Sequence, residues 1–320
     1  MASGREVAAT DVLVEDPAQR ADAQVRTVRL LAPAKVNLHL GIYPGRDERG
    51  YHRADSVMIA VDLADVVTVT EDPRLTGIQL SMSEDVHVPA YQNTAWIAAT
   101  RMCRKFGRPE RYAIHIQKEV PPQSGLGGSS SDAASVILAL CKLWGIKALD
   151  PRVVQVARSV GADVAFFLHP APSLLVGAGD VLEKTFPQMN DLPLVLVRPR
   201  PGVSTVSAYQ AFDAHPTQPA RADRLTRALA RGDRRAVATH LFNNLATAVQ
   251  RSVTECAEVE DWLLAQEGVQ NARVTGSGSC AFAICDSHER AAGLARAAHD
   301  AHADWWAISC KTVGLGSQFC

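Results

Sequence analysis

Between Tyr112-Ala113-Ile114-His115-Ile116 and Val136-Ile137-Leu138-Ala139-Leu140 the chain reads Pro121-Pro122-Gln123-Ser124-Gly125-Leu126-Gly127-Gly128-Ser129-Ser130-Ser131-Asp132-Ala133-Ala134-Ser135. Glycine adopts positive φ without steric cost and lets backbone amides come close to a ligand. The apolar run that follows reads as a helix, whose first turn offers unpaired N–H groups and the positive end of its dipole. An anion is the natural occupant of such a place, and phosphate is the commonest one. A flexible Gly/Ser linker would not be flanked so tightly by ordered apolar segments. The loop is not a Walker A loop, because Ser129 follows Gly128 where that motif needs lysine. Nor is it a dinucleotide fingerprint, since the Gly-x-Gly-x-x-Gly spacing is missing. What remains is phosphate held by the backbone from Pro122 to Ser131. The Ser129, Ser130 and Ser131 hydroxyls are available to a magnesium ion, which takes few protein oxygens. On this reading a side chain at Gly127 would intrude on the phosphates.

Other polar residues stand in unusual surroundings. Val274-Thr275-Gly276-Ser277-Gly278-Ser279-Cys280-Ala281 is followed by a strand-like run, which excludes a dinucleotide site. It reads as a hairpin turn or as a second turn on the phosphate side. Lys35 and Asn37 follow Pro33 between apolar segments, where a lysine is either at the surface or functional. Asp163, in Val160-Gly161-Ala162-Asp163-Val164-Ala165-Phe166-Phe167-Leu168, must be paired, cap a turn, or be functional. Tyr51-His52 after Gly50 offers an aromatic ring and an imidazole that could clamp a flat ring or simply pack.

These residues need a scaffold. Val25 to Leu31 and Val36 to Ile42 read as two strands broken at Ala32-Pro33-Ala34. Val57 to Val61, Val66 to Thr70 and Arg111 to Lys118 are further strands. Asn93 is a candidate N-cap for a helix whose Trp96, Ala99, Cys103 and Phe106 share a face. The glycine loop leads into a helix reaching about Trp144, and Asp150-Pro151 starts another that runs through Ser159. A break in character near Phe186 to Leu192 suggests a domain boundary. Beyond it come a strand at Leu194 to Val197, helices to about Ala265, strands at Asn271 to Thr275 and Cys280 to Cys285, a helix from Ser287 to about His302, and a strand at Trp305 to Thr312. That order is a split β-α-β arrangement.

Length and composition limit the partners. The 320 residues suffice for two domains, and 47% hydrophobic with 21% charged residues is a globular composition. A net charge of -1 gives no bulk field toward nucleic acid or anionic membrane. No apolar run reaches membrane-spanning length. Seven cysteines at irregular spacing argue against a disulfide framework and structural zinc, and read as reduced thiols in a cytoplasmic protein. Residues 1–24 carry scattered acids and no apolar signal core, and read as a disordered extension. Nothing here fixes whether the protein is a monomer or a homodimer.

Three segments occur in an order that resembles the GHMP small-molecule kinases: Pro33-Ala34-Lys35-Val36-Asn37-Leu38, then Pro121 to Ser135, then Thr275 to Cys280. The resemblance runs from about Val25 to the C-terminus. Gly50-Tyr51-His52, Gly161-Ala162-Asp163-Val164 and Gly202-Val203-Ser204-Thr205 narrow it to the branch acting on a cytidine diphosphate-linked methylerythritol. It implies an α+β, two-domain GHMP kinase fold. Residues 25–186 would form a mixed α/β domain holding ATP and Mg²⁺ at the loop, and residues 187–320 a ferredoxin-like split β-α-β domain. Lys35 and Asp163 match the family's catalytic pair, and Asn37 would lie near the acceptor. Tyr51 would stack on the cytosine, His52 would hydrogen-bond it, and Tyr209 would cover its other face. Gly276, Ser277 and Gly278 would approach the substrate. The same frame would also suit a kinase for another alcohol or phosphate acceptor, or a non-catalytic metabolite sensor. Four positions depart from the family's usual pattern: Ser129 for glycine, Ala165 for proline, Asn243-Asn244-Leu245 for Asn-Asp-Leu-Glu, and Arg53 near the expected substrate entrance.

Overall fold

A computed structural model describes residues 24–48, 50–84, 88–316 and 318. The extension expected for residues 1–24 therefore lies, but for Gln24, outside the described residues, as does Cys320. β1 (Arg26–Arg46) and β2 (His52–Glu71) form a long antiparallel hairpin. β3 (Gly77–Met82), α1 (Thr94–Phe106) and β4 (Arg111–Gln117) follow, then α2 (Gly128–Trp144), α3 (Pro151–Val160), α4 (Val164–Phe167), β5 (Ser173–Val176) and β6 (Val181–Thr185). The second half runs β7 (Pro193–Arg198), α5 (Thr205–Ala214), α6 (Asp223–Arg231), α7 (Arg234–Thr239), β8 (Phe242–Asn243), α8 (Asn244–Val249) and α9 (Glu255–Leu264). It ends with β9 (Val269–Val274), β10 (Ala281–Cys285), α10 (His288–Ala301) and β11 (Trp306–Val313).

The break expected at Ala32-Pro33-Ala34 does not occur; β1 is continuous. Proline removes one ladder donor, and such residues sit at strand irregularities. Here the register slips from Pro33 opposite Ala64 to Lys35 opposite Ala60, so the irregularity is absorbed by β2. The Lys35 amide leaves the hairpin and donates to the Leu126 carbonyl at 2.9 Å. One strand thus reaches both its partner strand and the glycine loop.

The sheet runs β3-β4-β2-β11-β7-β10-β9, and β5 and β1 also pair with β2. Within it, β7, β9, β10 and β11 are antiparallel in the order β11-β7-β10-β9. That is the expected split β-α-β topology, with α10 as its second crossover. The helix caps fall where the sequence placed them. Asn93 accepts from the Ala95 amide at 2.9 Å, and Asp150 from the Arg152 amide at 2.8 Å. α2 is apolar almost all round and is packed into the core under the sheet with α1, α3 and α4, as a helix of that pattern must be. It is the rigid base on which the glycine loop rests. Among the described residues no helix is long and apolar enough to cross a membrane. The described cysteines are all free and buried, and burial pushes the Cys256 and Cys280 thiols up to about 12.

Candidate active site

The glycine loop joins β4 to α2. Gln123, Gly125 and Gly127 have φ of 52°, 75° and 76°, so the chain winds left-handed into the helix, with Gly127 as its N-cap. The Ser131 amide donates back to the Gly127 carbonyl at 2.9 Å, and it closes the first turn. The amides of Gly128, Ser129 and Ser130 precede that bond and have no partner within the helix. All three residues line a cleft of about 630 Å³.

A second turn locks the loop from behind. Thr275 to Cys280 is the hairpin turn between β9 and β10, closed by the Thr275 amide on the Cys280 carbonyl at 2.9 Å. The Cys280 amide reaches across to the Ser124 carbonyl at 3.1 Å. A Cβ on Gly125 would stand 2.1 Å from the Thr275 carbonyl oxygen, and one on Gly276 would stand 2.8 Å from the Gly125 oxygen. Glycine is needed in both turns because two backbones touch. Of the two readings of the Thr275 segment the hairpin turn is the one observed, and that turn packs directly against the glycine loop. A Cβ at Gly127 would also meet Lys35 Cγ and the Phe167 ring at 3.1 Å, and so would press on Lys35.

Lys35 is buried and held on three sides. Its Nζ donates to Asn37 Oδ1 at 2.5 Å and to the Gly125 carbonyl at 2.8 Å, and lies 3.6 Å from Asp163 Oδ2. Burial pulls the Lys35 pKa down, and the Asp163 carboxylate opposes that shift. Asn37 is fully engaged as well. Its Nδ2 donates to Ser56 Oγ at 2.9 Å, and Thr275 Oγ1 donates to its Oδ1 at 3.2 Å. Asp163 opens α4 without capping it, and its side chain is 35% exposed, so of the three readings it is the paired one that the geometry carries. Lys35, Asn37 and Asp163 all line the cleft.

Not every candidate does. Pro122, Gln123, Ser124, Gly125, Gly127, Gly128, Ser129, Ser130, Gly276, Ser277 and Tyr209 line it, whereas Leu126 and Ser131 are buried beneath it. Gly278 lies behind the turn, against Val274, Cys256 and Val203. Tyr51 is 59% exposed on the hairpin and is not among the residues that line the cleft. His52 is buried next to Tyr209, their rings stacked at 5.5 Å and 16°. His52 Nδ1 lies 3.0 Å from the Tyr43 carbonyl, and Nε2 lies 2.9 Å from Asp213 Oδ1. No well-directed hydrogen bond reaches Nε2, so the Asp213 contact is one of proximity. Arg53 points to the opposite face of β2, with its guanidinium 4.3 Å above the Tyr43 ring, so it does not guard the cleft.

Two groups escaped the sequence reading, and a third was noted there only as a departure from the family pattern. Lys118, which lines the cleft, is clamped between two buried carboxylates, Asp65 and Asp132. Asp65 also accepts from the Glu119 and Val120 amides, at 2.6 and 2.8 Å. Burial pushes the Asp132 carboxyl up to about 7, with Lys118 opposing. Asp65 within Leu63-Ala64-Asp65-Val66-Val67 carried the same signal as Asp163, an acid inside an apolar run. The third group is the asparagine pair. Asn243 Nδ2 donates to the Val274 and Gly276 carbonyls, both at 2.9 Å, and supports the second turn. Asn244 accepts from the Ile42 amide at 2.8 Å and donates to the Ile42 carbonyl at 2.9 Å. An aspartate at 244 could not make the second bond, which accounts for the amide at this departure from the family pattern.

Comparisons with known proteins follow the same line. The N-terminal domain of the GHMP kinases matches residues 93–170, and the GHMP kinase C-terminal domain matches residues 225–304. The 4-diphosphocytidyl-2-C-methyl-D-erythritol kinase of Desulfitobacterium hafniense is 36% identical over 84% of this chain and 90% of its own length. The protein of the same name from a Geobacter species is 33% identical over 90% of this chain and 100% of its own. A crystal structure of 4-(cytidine 5'-diphospho)-2C-methyl-D-erythritol kinase superposes with a TM-score of 0.71 at 31% identity, over 90% of this chain and all of that one. The homoserine kinase of Cytophaga hutchinsonii also reaches 0.71, at 21% identity over 90% of this chain and 95% of its own, which speaks for the fold alone.

Proposed function

This chain belongs to the GHMP kinases, and we propose that within that family it transfers the γ-phosphoryl group of ATP to the 2-hydroxyl of 4-diphosphocytidyl-2-C-methyl-D-erythritol. The observation that carries the reading is the Lys35–Asp163 pair, 3.6 Å apart in the cleft that also receives the open amides of α2. The relatives that carry this activity by name span nearly the whole chain, which supports the choice of acceptor.

In the proposed reaction the acceptor hydroxyl oxygen attacks the γ-phosphorus, the bond from that phosphorus to the β,γ-bridging oxygen breaks, and ADP leaves. Asp163 orients the hydroxyl and takes its proton. Lys35 stabilises charge on the transferring group, and its two neutral acceptors, Asn37 Oδ1 and the Gly125 carbonyl, fix its position. The glycine loop holds the ATP phosphates through backbone amides, so positioning and electrostatics supply most of the catalysis. Magnesium would neutralise phosphate charge between the nucleotide and the Ser129 and Ser130 hydroxyls. The cleft suits an ion carried largely by phosphate and water, because no cluster of three His, Cys, Asp or Glu side chains exists among the described residues.

ADP release from ATP with Mg²⁺, measured with and without the acceptor, tests the reading. A substrate-dependent rate that disappears in Asp163→Asn is the expected result. ATP binding without stimulation by this acceptor would overturn the choice of substrate.

A further inference from the structure

Next to Tyr209, which lines the cleft, stands a carboxylate that the proposed reaction does not use. Asp213 lies on α5 one helical turn after Tyr209, so the two side chains share a face. Its Oδ1 is 2.9 Å from His52 Nε2, and its Oδ2 pairs with the Arg46 guanidinium. Arg46 also donates through Nη1 to the Gly50 carbonyl at 2.8 Å, at the turn just before Tyr51. His52 is gripped on its remaining sides. The Tyr43 carbonyl stands at Nδ1, the Tyr209 ring lies along one face, and the Phe212 ring meets it edge-on at 5.5 Å.

Two consequences follow from that packing. His52 Nδ1 faces the Tyr43 carbonyl and Nε2 lies against the Asp213 carboxylate, so the buried ring is placed to brace Tyr209. His52 also covers one face of Tyr209, which leaves the other face as the stacking surface in the cleft. The ion pairs and ring contacts described between α5 and the β1–β2 hairpin at this end run through Asp213 and His52, beside an apolar cluster that joins Leu40, Ile42 and Ala54 to Ala208 and Phe212. The Arg46 guanidinium holds the Asp213 carboxyl below the usual carboxylate range, so it stays ionised at neutral pH.

We propose that Asp213 is a positioning residue for the acceptor: through His52 and Arg46 it holds Tyr209 and the Tyr51 turn at the separation that a flat pyrimidine ring requires. The inference rests on the proposed kinase reading and extends it to a residue that touches no substrate.

The test is steady-state kinetics of Asp213→Asn with the cytidine-linked acceptor and with ATP, alongside Asp213→Glu, Tyr209→Ala and the Asp213→Asn/Tyr209→Ala double variant. Asp213→Asn should raise the acceptor KM about fivefold, the size of a lost, partly exposed ion pair, and leave the ATP KM in place. Asp213→Glu should restore most of the loss. In the Tyr209→Ala background the Asp213 change should add almost nothing, because its effect passes through that ring. An unchanged acceptor KM, an equal rise in both KM values, or full additivity would each overturn the positioning role while leaving the kinase reading intact. A wild-type protein that releases no ADP in response to this acceptor would overturn both.

Discussion

On the proposed reading the two ends of the cleft would recognise their ligands by different means. The phosphate end is made of backbone: amides of the glycine loop, braced by a second turn so close that a Cβ on Gly125 would stand 2.1 Å from a carbonyl oxygen. The acceptor end is made of side chains on a hairpin and a short helix, with Tyr51 59% exposed and Asp213 40% exposed. Backbone recognition suits a ligand part common to every kinase of the fold, and it tolerates little change. Side-chain recognition can be retuned one residue at a time, which fits a fold shared at equal TM-score with a homoserine kinase. Lys35 and Asp163 sit where the two ends meet.

The largest effect should come from that junction. Asp163→Asn keeps the size of the side chain and removes its charge and its capacity to take a proton. Turnover should fall by about 10²- to 10⁴-fold, the range for a general base, while ATP binding measured by calorimetry stays close to wild type. Turnover near the wild-type rate would remove the base from the mechanism.

Glycine substitutions come next, and they set the two ends against each other directly. Gly50 and Gly125 both have positive φ, 83° and 75°. A Cβ at Gly50 meets nothing within 4 Å, so Gly50→Ala should cost only the left-handed conformation, about 1–2 kcal/mol in urea unfolding. Gly125→Ala carries the same cost and must also drive the loop away from Thr275. It should lose clearly more stability than Gly50→Ala and raise the ATP KM. Equal losses at the two sites would mean that the turns separate easily, and the contrast in rigidity would be false.

The sequence disclosed the phosphate end more fully than the acceptor end, for a physical reason. Backbone recognition requires glycine, and glycine at fixed spacing is visible in a bare sequence. The loop and its helix were legible in that way, whereas Lys35 and Asp163 stood out only as polar residues in apolar surroundings and took their roles from the family resemblance. Pro33 misled because proline usually ends a strand, and only the register slip opposite it shows how β1 continues. Lys118 looked like an ordinary strand-end lysine; its importance depends on Asp65 and Asp132, brought beside it from β2 and α2. Arg53 misled through nearness in sequence, because alternate strand residues point to opposite faces. Asp213 gave no signal at all, as it takes its meaning from a hairpin more than 150 residues away.

The buried cluster near the phosphate end makes a pH prediction. An unfolded aspartate ionises near pH 4, whereas burial holds the folded Asp132 carboxyl up to about 7. Between those values the folded chain keeps a proton that the unfolded chain has lost, so stability falls as pH rises through the window and levels off above it. Asp132→Asn cannot titrate. The drop in urea midpoint from pH 5 to pH 8 should therefore be smaller in the variant than in wild type. Identical drops would mean that Lys118 keeps Asp132 ionised throughout.

The smallest effects should fall on the acceptor hairpin. Tyr51 follows the turn that Arg46 braces, while the Arg53 guanidinium lies on the Tyr43 ring. Tyr51→Ala should raise the acceptor KM several-fold, consistent with the loss of about 1 kcal/mol from an aromatic contact, and spare the ATP KM. Arg53→Ala should change the acceptor KM less than twofold, because an exposed cation on the far face interacts with the cleft only through screened water. If Arg53 proved the more sensitive of the two, the acceptor would have to run along the outer face of β2 instead of between the hairpin and α5. The stacking role assigned to Tyr209 would then fail as well, since that ring faces only the cleft.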